Sequence, residues 1–298
     1  MSRPSTFQTL HVISQSYTEG VYQVPELPEV QTIVDGLNAS GVPGCRIDAV
    51  TVRWPRTIAT CSPDVFTRRL KGRGILTIYR RAKYIVFELS DQLWMLVHLR
   101  MTGRLVVAAR TGRGDPHLQV LLRLDDGRCL AYHDTRKFGR FFLTSEPASI
   151  LGALGPEPLA PGFSARMLFE SIGRRRRRIK PLLLDQGFLA GLGNIYVDEA
   201  LWLARIHPLR AADTLSWQDI RSLHRAIRFV LRQGIRNAGT SLGKGKGNFV
   251  SAQSDQGRNR NQLKVFQRTG QACRRCGHAI ERIVVGQRGT HVCSKCQV

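Results

Sequence analysis

Acidic residues are scarce in this 298-residue sequence: 22 Asp and Glu stand against 45 Lys and Arg, and the formal net charge is +23. So large a basic excess repels itself unless it meets an opposite charge, which argues against a basic protein without an anionic partner. A polyanion is therefore the expected partner, and nucleic acid is the commonest one. An anionic membrane surface is a weaker alternative, because no amphipathic basic helix stands out.

Long apolar runs are missing as well. No stretch approaches the ~18 consecutive apolar residues of a membrane-spanning helix, which predicts a soluble protein. Residues 1–23 contain no apolar run long enough for a signal peptide, and they resemble a transit peptide only weakly. The hydrophobic fraction of 42% is nevertheless enough to fill a core in each of two compact domains.

Cysteine is sparse, and its odd count of seven does not fit a secreted disulfide framework. Three scattered cysteines are expected to be small buried side chains in a reducing compartment; they are Cys45, Cys61 and Cys129. The other four form two Cys-x-x-Cys pairs with the spacing of a zinc ribbon; they are Cys273, Cys276, Cys293 and Cys296. Four thiolates fill the coordination sphere, so the pattern predicts one structural Zn²⁺ that takes no part in catalysis.

Residues 25–30, Pro-Glu-Leu-Pro-Glu-Val, place a proline and a carboxylate directly before a helix. Pro28 suits a first helical position, where a missing N–H costs nothing. Apolar residues then recur with the spacing of one helix face; they are Val30, Ile33, Val34 and Leu37. Gly41 and Pro43 end the helix. By itself, this pattern indicates a helix N-terminus that two prolines stiffen.

Between residues 45 and 144, short apolar runs alternate with turn signals and no helical pattern intervenes, which predicts an antiparallel sandwich or barrel. The predicted strands include 74–79, 84–89, 93–99, 104–108, 118–124 and 129–132. Residues 152–162 are rich in Pro and Gly and predict a linker at a domain boundary.

The region after the linker predicts helices. They are expected over 167–172 and 217–234, and another opens after the Gly-x-Gly-Asn turn at 191–194. Such a turn presents backbone N–H groups and a side-chain amide to a phosphate, although a plain helix–helix corner is the simpler meaning. The arginine run 174–178 is either a solvated face or a phosphate-neutralising one.

A long polar segment at 237–260 contains Lys244 and Lys246 among glycines, which is typical of a functional or disordered loop. Between the cysteine pairs, residues 280–285 and 290–292 predict a hairpin with Arg288 in its turn.

Taken in chain order, five motifs resemble the formamidopyrimidine-DNA glycosylase and endonuclease VIII family. They are residues 25–30, residues 98–103 with 134–139, the 152–162 linker, the turn at 193–196 and the paired cysteines. The resemblance runs from Pro25 to the C-terminus and implies an α+β fold. That fold has an N-terminal helix plus an antiparallel β-sandwich domain, then a helical helix–two-turn–helix domain that ends in a four-cysteine zinc ribbon. The implied divisions are 1–24 extension, 25–151 β-sandwich catalytic domain, 152–163 hinge, 164–237 helix–two-turn–helix DNA-binding domain, 238–266 lesion-capping loop region and 267–298 zinc ribbon.

The resemblance also implies roles for individual residues. Pro25 is the expected mature N-terminal residue and its secondary amine the nucleophile, with the adjacent Glu26 as general acid and base. Two basic residues are implied to complete the catalytic set by contacting the phosphate beside the lesion; they are Lys83 and Arg288. Two more DNA-binding residues are implied to hold phosphates; they are Lys180 and Asn194.

Three further side chains are implied to enter the duplex where the damaged base leaves; they are Met101, Arg136 and Phe138. An apolar wedge and an aromatic ring suit the hole that a flipped base leaves, and a guanidinium supplies donors to its orphaned partner.

One feature conflicts with this chemistry. Pro25 is preceded by 24 residues, and a proline nitrogen inside a peptide bond has no usable lone pair. Three explanations are open: translation begins at Val24 and the start residue is trimmed, a protease removes the leader, or the extension is retained and the protein is no lyase. The first is favoured, because a start residue belongs directly before the proline.

The resemblance therefore implies a bifunctional DNA glycosylase and abasic-site lyase of base excision repair. Its expected substrates are oxidised purines, 8-oxoguanine and formamidopyrimidines, removed through an N-terminal proline imine and β,δ-elimination. The alternatives are an endonuclease VIII-like glycosylase for oxidised pyrimidines, or a non-catalytic damaged-DNA-binding protein if the extension is retained. The expected partner is double-stranded DNA containing oxidised bases. A monomer without membrane contact is expected, in the cytoplasm at the nucleoid.

Overall fold

The computed structural model describes residues 24–109, 115–173, 175–242, 249, 251–253 and 255–298. Residues 1–23, Arg174 and the loop positions Lys244 and Lys246, on which some of the predictions fall, lie outside the described residues.

Two antiparallel sheets of four strands each face one another in the first half of the described chain. One sheet has the order β1-β6-β7-β5 and the other β2-β3-β4-β8. The strands are β1 Ile47–Val52, β2 Ile75–Arg81, β3 Tyr84–Leu89, β4 Leu93–His98, β5 Gly103–Ala108, β6 Leu118–Leu124, β7 Cys129–Asp134 and β8 Arg140–Thr144. The predicted sandwich is therefore confirmed, and the predicted runs 84–89 and 118–124 coincide with β3 and β6.

Helix α1, Leu27–Ala39, packs one face into the sandwich core. Pro28 lies in its first turn, and the four apolar residues that the sequence placed on one face are all buried; they are Val30, Ile33, Val34 and Leu37. Since the buried face carries the predicted spacing, the prediction of a helix with one apolar face is confirmed.

The expectation that no helix interrupts the strands is wrong at one place. Helix α2, Pro63–Leu70, lies between β1 and β2. Ser62 caps it by accepting a hydrogen bond from the Val65 N–H at 3.3 Å, and Phe66 and Leu70 are buried. The Ser-Pro start and the i, i+4 apolar pair are ordinary helix signals, but the segment is short and largely polar.

The second half of the chain is mainly helical. Its helices are α3 Ala148–Leu151, α4 Ala165–Ile172, α5 Ile179–Leu184, α6 Asn194–Ala204 and α7 Trp217–Arg236. Single 3₁₀ turns cover Pro55–Thr57, Ala212–Thr214 and Asn259–Gln262. Leu27, at the start of α1, is buried in the helical core rather than in the sandwich core. The beginning of α1 therefore joins the two halves.

The C-terminal segment forms a hairpin of β9, Glu281–Val285, and β10, Arg288–Val292. The prediction that Arg288 lies in the turn is wrong: Arg288 is the first residue of β10 and pairs with Val285. Gly286 and Gln287 form the turn instead, with φ of 56° and 61°. Two central residues at positive φ match the tight hairpin turn whose twist suits the flanking strands. None of the described helices has the length and apolarity that a membrane span requires.

Candidate active site and nucleic-acid interface

The site lies where the N-terminus of α1 meets the N-terminus of α6. Pro25 and Glu26 are both buried immediately before α1. The Leu27 N–H donates to the Gly191 carbonyl at 3.0 Å. The Glu26 carboxylate accepts the Ile195 N–H at 2.9 Å and the Tyr196 N–H at 3.4 Å. Because the first N–H groups of a helix lack partners within the helix, this carboxylate satisfies and neutralises the start of α6.

The second glycine of the Gly-x-Gly-Asn turn makes room for this carboxylate. A Cβ on Gly193 would lie 2.3 Å from Cδ of Glu26. Any larger residue would push Glu26 away from α6. The turn thus binds the Glu26 carboxylate of the protein itself. Neither sequence-based interpretation of the turn, a phosphate site or a helix–helix corner, predicted this contact.

Burial gives Glu26 unusual acid–base properties. Loss of solvent raises its pKa from 4.5 to about 7, although the charge of Lys83 and the hydrogen bonds from α6 act in the opposite direction. A carboxyl group with a pKa near neutrality can both give and take a proton at working pH, as a general acid and base must. Glu26 therefore has the chemistry that its predicted role needs.

Two cations complete this part of the site. Lys83 lies in the turn between β2 and β3, where burial lowers its pKa and the negative charge of Glu26 raises it. The positive charge of exposed Arg288 also lowers the pKa of Lys83. The structure therefore brings Lys83 and Arg288 to the same region as Pro25 and Glu26, although positions 83 and 288 are far apart in the chain. A cluster of cations beside a carboxylate is suited to a phosphate group.

Three residues that the sequence did not single out form a buried network behind Glu26. The Glu29 carboxylate accepts hydrogen bonds from the Tyr196 hydroxyl at 2.8 Å, the Thr240 N–H at 2.7 Å and the Glu26 N–H at 3.0 Å. Burial raises the pKa of Glu29. Glu29 sits three residues after Glu26, the spacing of a capping box, so this part of the network had a local sequence signal. Tyr196 lies in the 193–196 motif, which gave it no individual role, and Thr240 had no sequence signal.

Lys180 and Asn194 contact protein in this structure. Lys180 is fully buried, and its ammonium lies 2.5 Å from Oδ1 of Asp198. The Asn194 side-chain amide donates to the Gly289 carbonyl at 2.9 Å. The Asn194–Gly289 hydrogen bond joins α6 to β10 directly after Arg288, whereas the Lys180–Asp198 pair joins α5 to α6. That Lys180 and Asn194 bind phosphate stays a prediction.

Met101, Arg136 and Phe138 lie together at the tip of the sandwich, and their entry into a duplex stays a prediction. A guanidinium nitrogen of Arg136 is 3.4 Å from the Met101 sulfur, and the guanidinium carbon is 4.7 Å from the centre of the Phe138 ring. Phe138 is 46% exposed, so its ring is accessible from outside the protein. An exposed aromatic beside a thioether and a cation forms a wedge of the kind that enters a base stack.

The loop that carries Arg136 and Phe138 is held by one buried carboxylate, Asp134. It accepts hydrogen bonds from the Thr102 hydroxyl, from the Arg136 N–H at 3.1 Å, from the Tyr132 hydroxyl at 3.0 Å and from the Gly139 N–H at 2.8 Å. Since a carboxylate only accepts, all four donors can be satisfied at once.

Asp134→Asn should therefore loosen the wedge. An amide has a single acceptor oxygen, so about two of these donors lose their partner, at a cost of roughly 1–3 kcal/mol for each buried group. The expected result is slower opening of a lesion-containing duplex, measured by stopped-flow fluorescence of 2-aminopurine next to the lesion, with a lower melting temperature. The matched control is Asp64→Asn on the exposed face of α2; equal opening rates for the two variants would count against this role of Asp134.

The four paired cysteines lie together at the base of the C-terminal hairpin. All four sulfur atoms lie within 4.8 Å of one another; the separations include 3.9 Å for Cys273–Cys296 and 3.5 Å for Cys276–Cys293. A tetrahedral site with Zn–S bonds of ~2.3 Å requires sulfur atoms about 3.8 Å apart. The donor set and its dimensions therefore fit a zinc ion.

The site combines a buried carboxyl group whose pKa is near 7, a cluster of cations and an exposed wedge, and the chain is strongly basic. These are the features of an enzyme that acts on nucleic acid. Comparison with known protein families identifies three domains in the chain. Residues 24–141 match the formamidopyrimidine-DNA glycosylase N-terminal domain, residues 154–244 the H2TH domain of that enzyme and residues 270–298 the zinc finger found in FPG and IleRS.

Whole proteins agree with these domain matches. The chain is 43% identical over 274 residues to the formamidopyrimidine-DNA glycosylase of Protochlamydia amoebophila, covering 92% of this chain and 99% of that relative. It is 45% identical over 276 residues to the enzyme of the same name from Herpetosiphon aurantiacus, covering 92% of this chain and 100% of that relative. A solved complex of Lactococcus lactis FPG with a Fapy-dG containing DNA is similar with a TM-score of 0.83 and 36% identity, over 91% of this chain and 99% of that one.

The chain therefore belongs to the formamidopyrimidine-DNA glycosylase family. It is a DNA glycosylase of base excision repair, as its sequence predicted.

Proposed function

We propose that this glycosylase excises oxidised purines, with Pro25 as the nucleophile and Glu26 as the group that moves the proton. The observation that carries the proposal is the position of Glu26. Its carboxyl group is buried next to Pro25, held by the start of α6, and its pKa is raised to about 7.

The steps follow from these positions. The free amine of Pro25 attacks C1′ of the flipped nucleotide, and the glycosidic bond breaks with its electrons leaving on the base, which takes up the proton that the attacking nitrogen loses. Glu26 gives its proton to the sugar ring oxygen as the ring opens, and an iminium forms between Pro25 and C1′. Loss of a proton from C2′ then expels the 3′ phosphate, and a second elimination expels the 5′ phosphate. Lys83 and Arg288 hold the phosphate beside the lesion during these steps.

The amine must be free, so the active form is proposed to begin at Pro25. The first family match begins at residue 24, one residue before Pro25, and the last ends at residue 298. The relatives named above are matched over 99% and 100% of their length while covering 92% of this chain. Both facts support a catalytic polypeptide that starts at this proline.

Sodium borohydride should trap the iminium as a stable adduct between the protein and a lesion-containing duplex. Mass spectrometry should locate the adduct on Pro25 in a form whose N-terminal residue is Pro25, and the form that retains Met1 should yield none. Pro25→Gly should turn over far more slowly while binding DNA nearly as well. The control is Pro28→Ala, three residues further into the same helix. Trapping by the form that retains Met1 would contradict the proposal.

The proposed substrates are formamidopyrimidines and 8-oxoguanine, supported by the names of the relatives and by the Fapy-dG containing DNA in a similar complex. Oxidised pyrimidines are the second candidate, because another similar Lactococcus lactis FPG complex holds an oxidised pyrimidine containing DNA, with a TM-score of 0.83 and 36% identity. A panel of duplexes with one lesion each separates the two by the rates of excision. Preferred removal of thymine glycol would overturn the purine assignment.

Finer points of organisation are proposals as well. One zinc ion per chain with a purely structural role is supported by a site closed by four sulfur atoms. A monomer acting at the nucleoid and a hinge at residues 152–163 stay predictions.

DNA affinity should fall steeply with salt, because the basic surface releases counterions from the phosphates it neutralises.

A further inference from the structure

The turn that carries Lys83 has a strained backbone. Arg81, the last residue of β2, pairs with Tyr84, the first of β3, so Ala82 and Lys83 alone form the turn. Ala82 has φ of 52°. A residue with a Cβ rarely adopts this left-handed conformation without support from its surroundings. Something must therefore hold the peptide of Ala82 in place.

Both polar groups of Ala82 are held by side chains. Its N–H donates to Oε1 of Glu157 at 2.5 Å, and its carbonyl accepts from the Arg80 guanidinium at 3.0 Å. The same guanidinium makes two hydrogen bonds to the Glu157 carboxylate, at 2.9 and 2.7 Å. Glu157 and Arg80 thus clamp the turn from both sides.

The clamp joins three parts of the molecule. Glu157 belongs to the linker between the two halves, and its side chain is 17% exposed. Arg80 also donates to the Gln31 side chain of α1 at 2.9 Å. Arg81 donates to Glu157 at 3.1 Å and to the Gly155 carbonyl at 2.7 Å. The two carboxylate oxygens of Glu157 therefore receive four N–H donors, which requires an ionised acid.

Glu157 is suited to remain ionised. Burial opposes its ionisation, but the hydrogen bonds and charge of Arg80 outweigh that effect, and the pKa of Glu157 lies below its usual value. The clamp is consequently intact at neutral pH.

From these contacts, we infer that Glu157 is a positioning residue for the active site: it fixes the strained Ala82 peptide and so sets where the Lys83 ammonium lies. The linker between the two halves thereby controls one cation of the site. This role rests on the proposed function of Lys83, and it goes beyond that function because Glu157 acts on the Ala82 peptide that precedes Lys83. The simpler alternative is that Glu157 only ties the two halves together.

Double-mutant kinetics separates these possibilities. Glu157→Ala should lower the single-turnover excision rate by about 10- to 100-fold, the scale expected when a catalytic group is displaced by around an ångström. In a Lys83→Ala background Glu157→Ala should have little further effect, since the Lys83 ammonium that Glu157 positions is already absent. Glu170→Ala, which removes an exposed ion pair with Arg166, is the matched control and should leave the rate unchanged.

A rescue experiment tests the backbone directly. Ala82→Gly should restore a large part of the activity in the Glu157→Ala background, because glycine adopts positive φ without strain. If Glu157→Ala does not fold, as judged by circular dichroism, Glu157→Gln takes its place, since it keeps the shape and one acceptor oxygen. An unchanged Lys83→Ala rate would refute the proposed role of Lys83. A Glu157 effect of equal size in both Lys83 backgrounds, or no rescue by Ala82→Gly, would refute the positioning role.

Discussion

Glu26→Gln is expected to slow base excision by about 10²- to 10⁴-fold, the contribution typical of a general acid or base. Glutamine has nearly the same shape, and its carbonyl can still accept a hydrogen bond from the Ile195 N–H. It cannot exchange a proton. The loss should therefore appear in the rate of the chemical step and only weakly in the affinity for lesion-containing DNA.

The pH dependence of single-turnover excision gives the sharper measurement. With a pKa of about 7, Glu26 holds its proton below neutrality and loses it above. The rate of the native enzyme should accordingly fall as the pH rises through about 7, and Glu26→Gln should remove this limb of the profile. Glu88→Gln in β3 serves as the control. An unchanged limb in Glu26→Gln would assign the titration to another group.

The same substitution has a predicted effect on stability. The pKa of Glu26 lies above its usual value of 4.5 in the folded chain, at about 7. Between these pH values the folded chain keeps a proton that the unfolded chain has lost, so stability falls as the pH rises through this window. Burial raises the pKa of Glu29 too, and its contribution has the same sign. The melting temperature of Glu26→Gln should thus change less with pH than that of the native protein, and should be no lower above neutrality.

Loss of one zinc ligand is expected to weaken DNA binding on the order of 100-fold, because a charge-assisted phosphate contact and the ordered hairpin that presents it are lost together. Only a small hydrophobic core surrounds the cysteine cluster at the foot of the hairpin; its buried residues are Trp202 of α6, Val265, Cys273, Ile280 and Cys293. A segment of that size is not expected to stay folded without its metal. Arg288, the first residue of β10, is then no longer held at the site.

Cys293→Ser is the appropriate variant, and Cys61→Ser, outside the cluster, is its control. Titration with a fluorescent duplex measures the affinity, and hydrogen exchange of residues 281–292 reports the state of the hairpin. Elemental analysis should find about one zinc per native chain and less in the variant. Equal affinity in the two variants would show that the hairpin does not depend on the metal.

Local patterns accounted for much of the fold. Proline and apolar spacing located α1, alternating runs located most of the strands, and cysteine spacing located the sulfur cluster. Each of these signals depends on neighbours a few residues apart, so it can be recognised without knowledge of the fold. Where local signals were weak or ambiguous, the sequence-based interpretation failed: α2 was missed, and Arg288 was placed in the turn rather than in β10.

The sequence by itself thus determined the family, the order of the elements and the set of chemical groups. Only the tertiary structure decided how those groups behave. Glu26 meets the Ile195 N–H across 169 residues, and Ala82 meets Glu157 across 75. The raised pKa of Glu26, the buried pairing of Lys180 and the clamped turn of Lys83 all arise from burial and from partners distant in the chain. Such properties belong to the packed molecule, because desolvation and long-range hydrogen bonds exist only after folding.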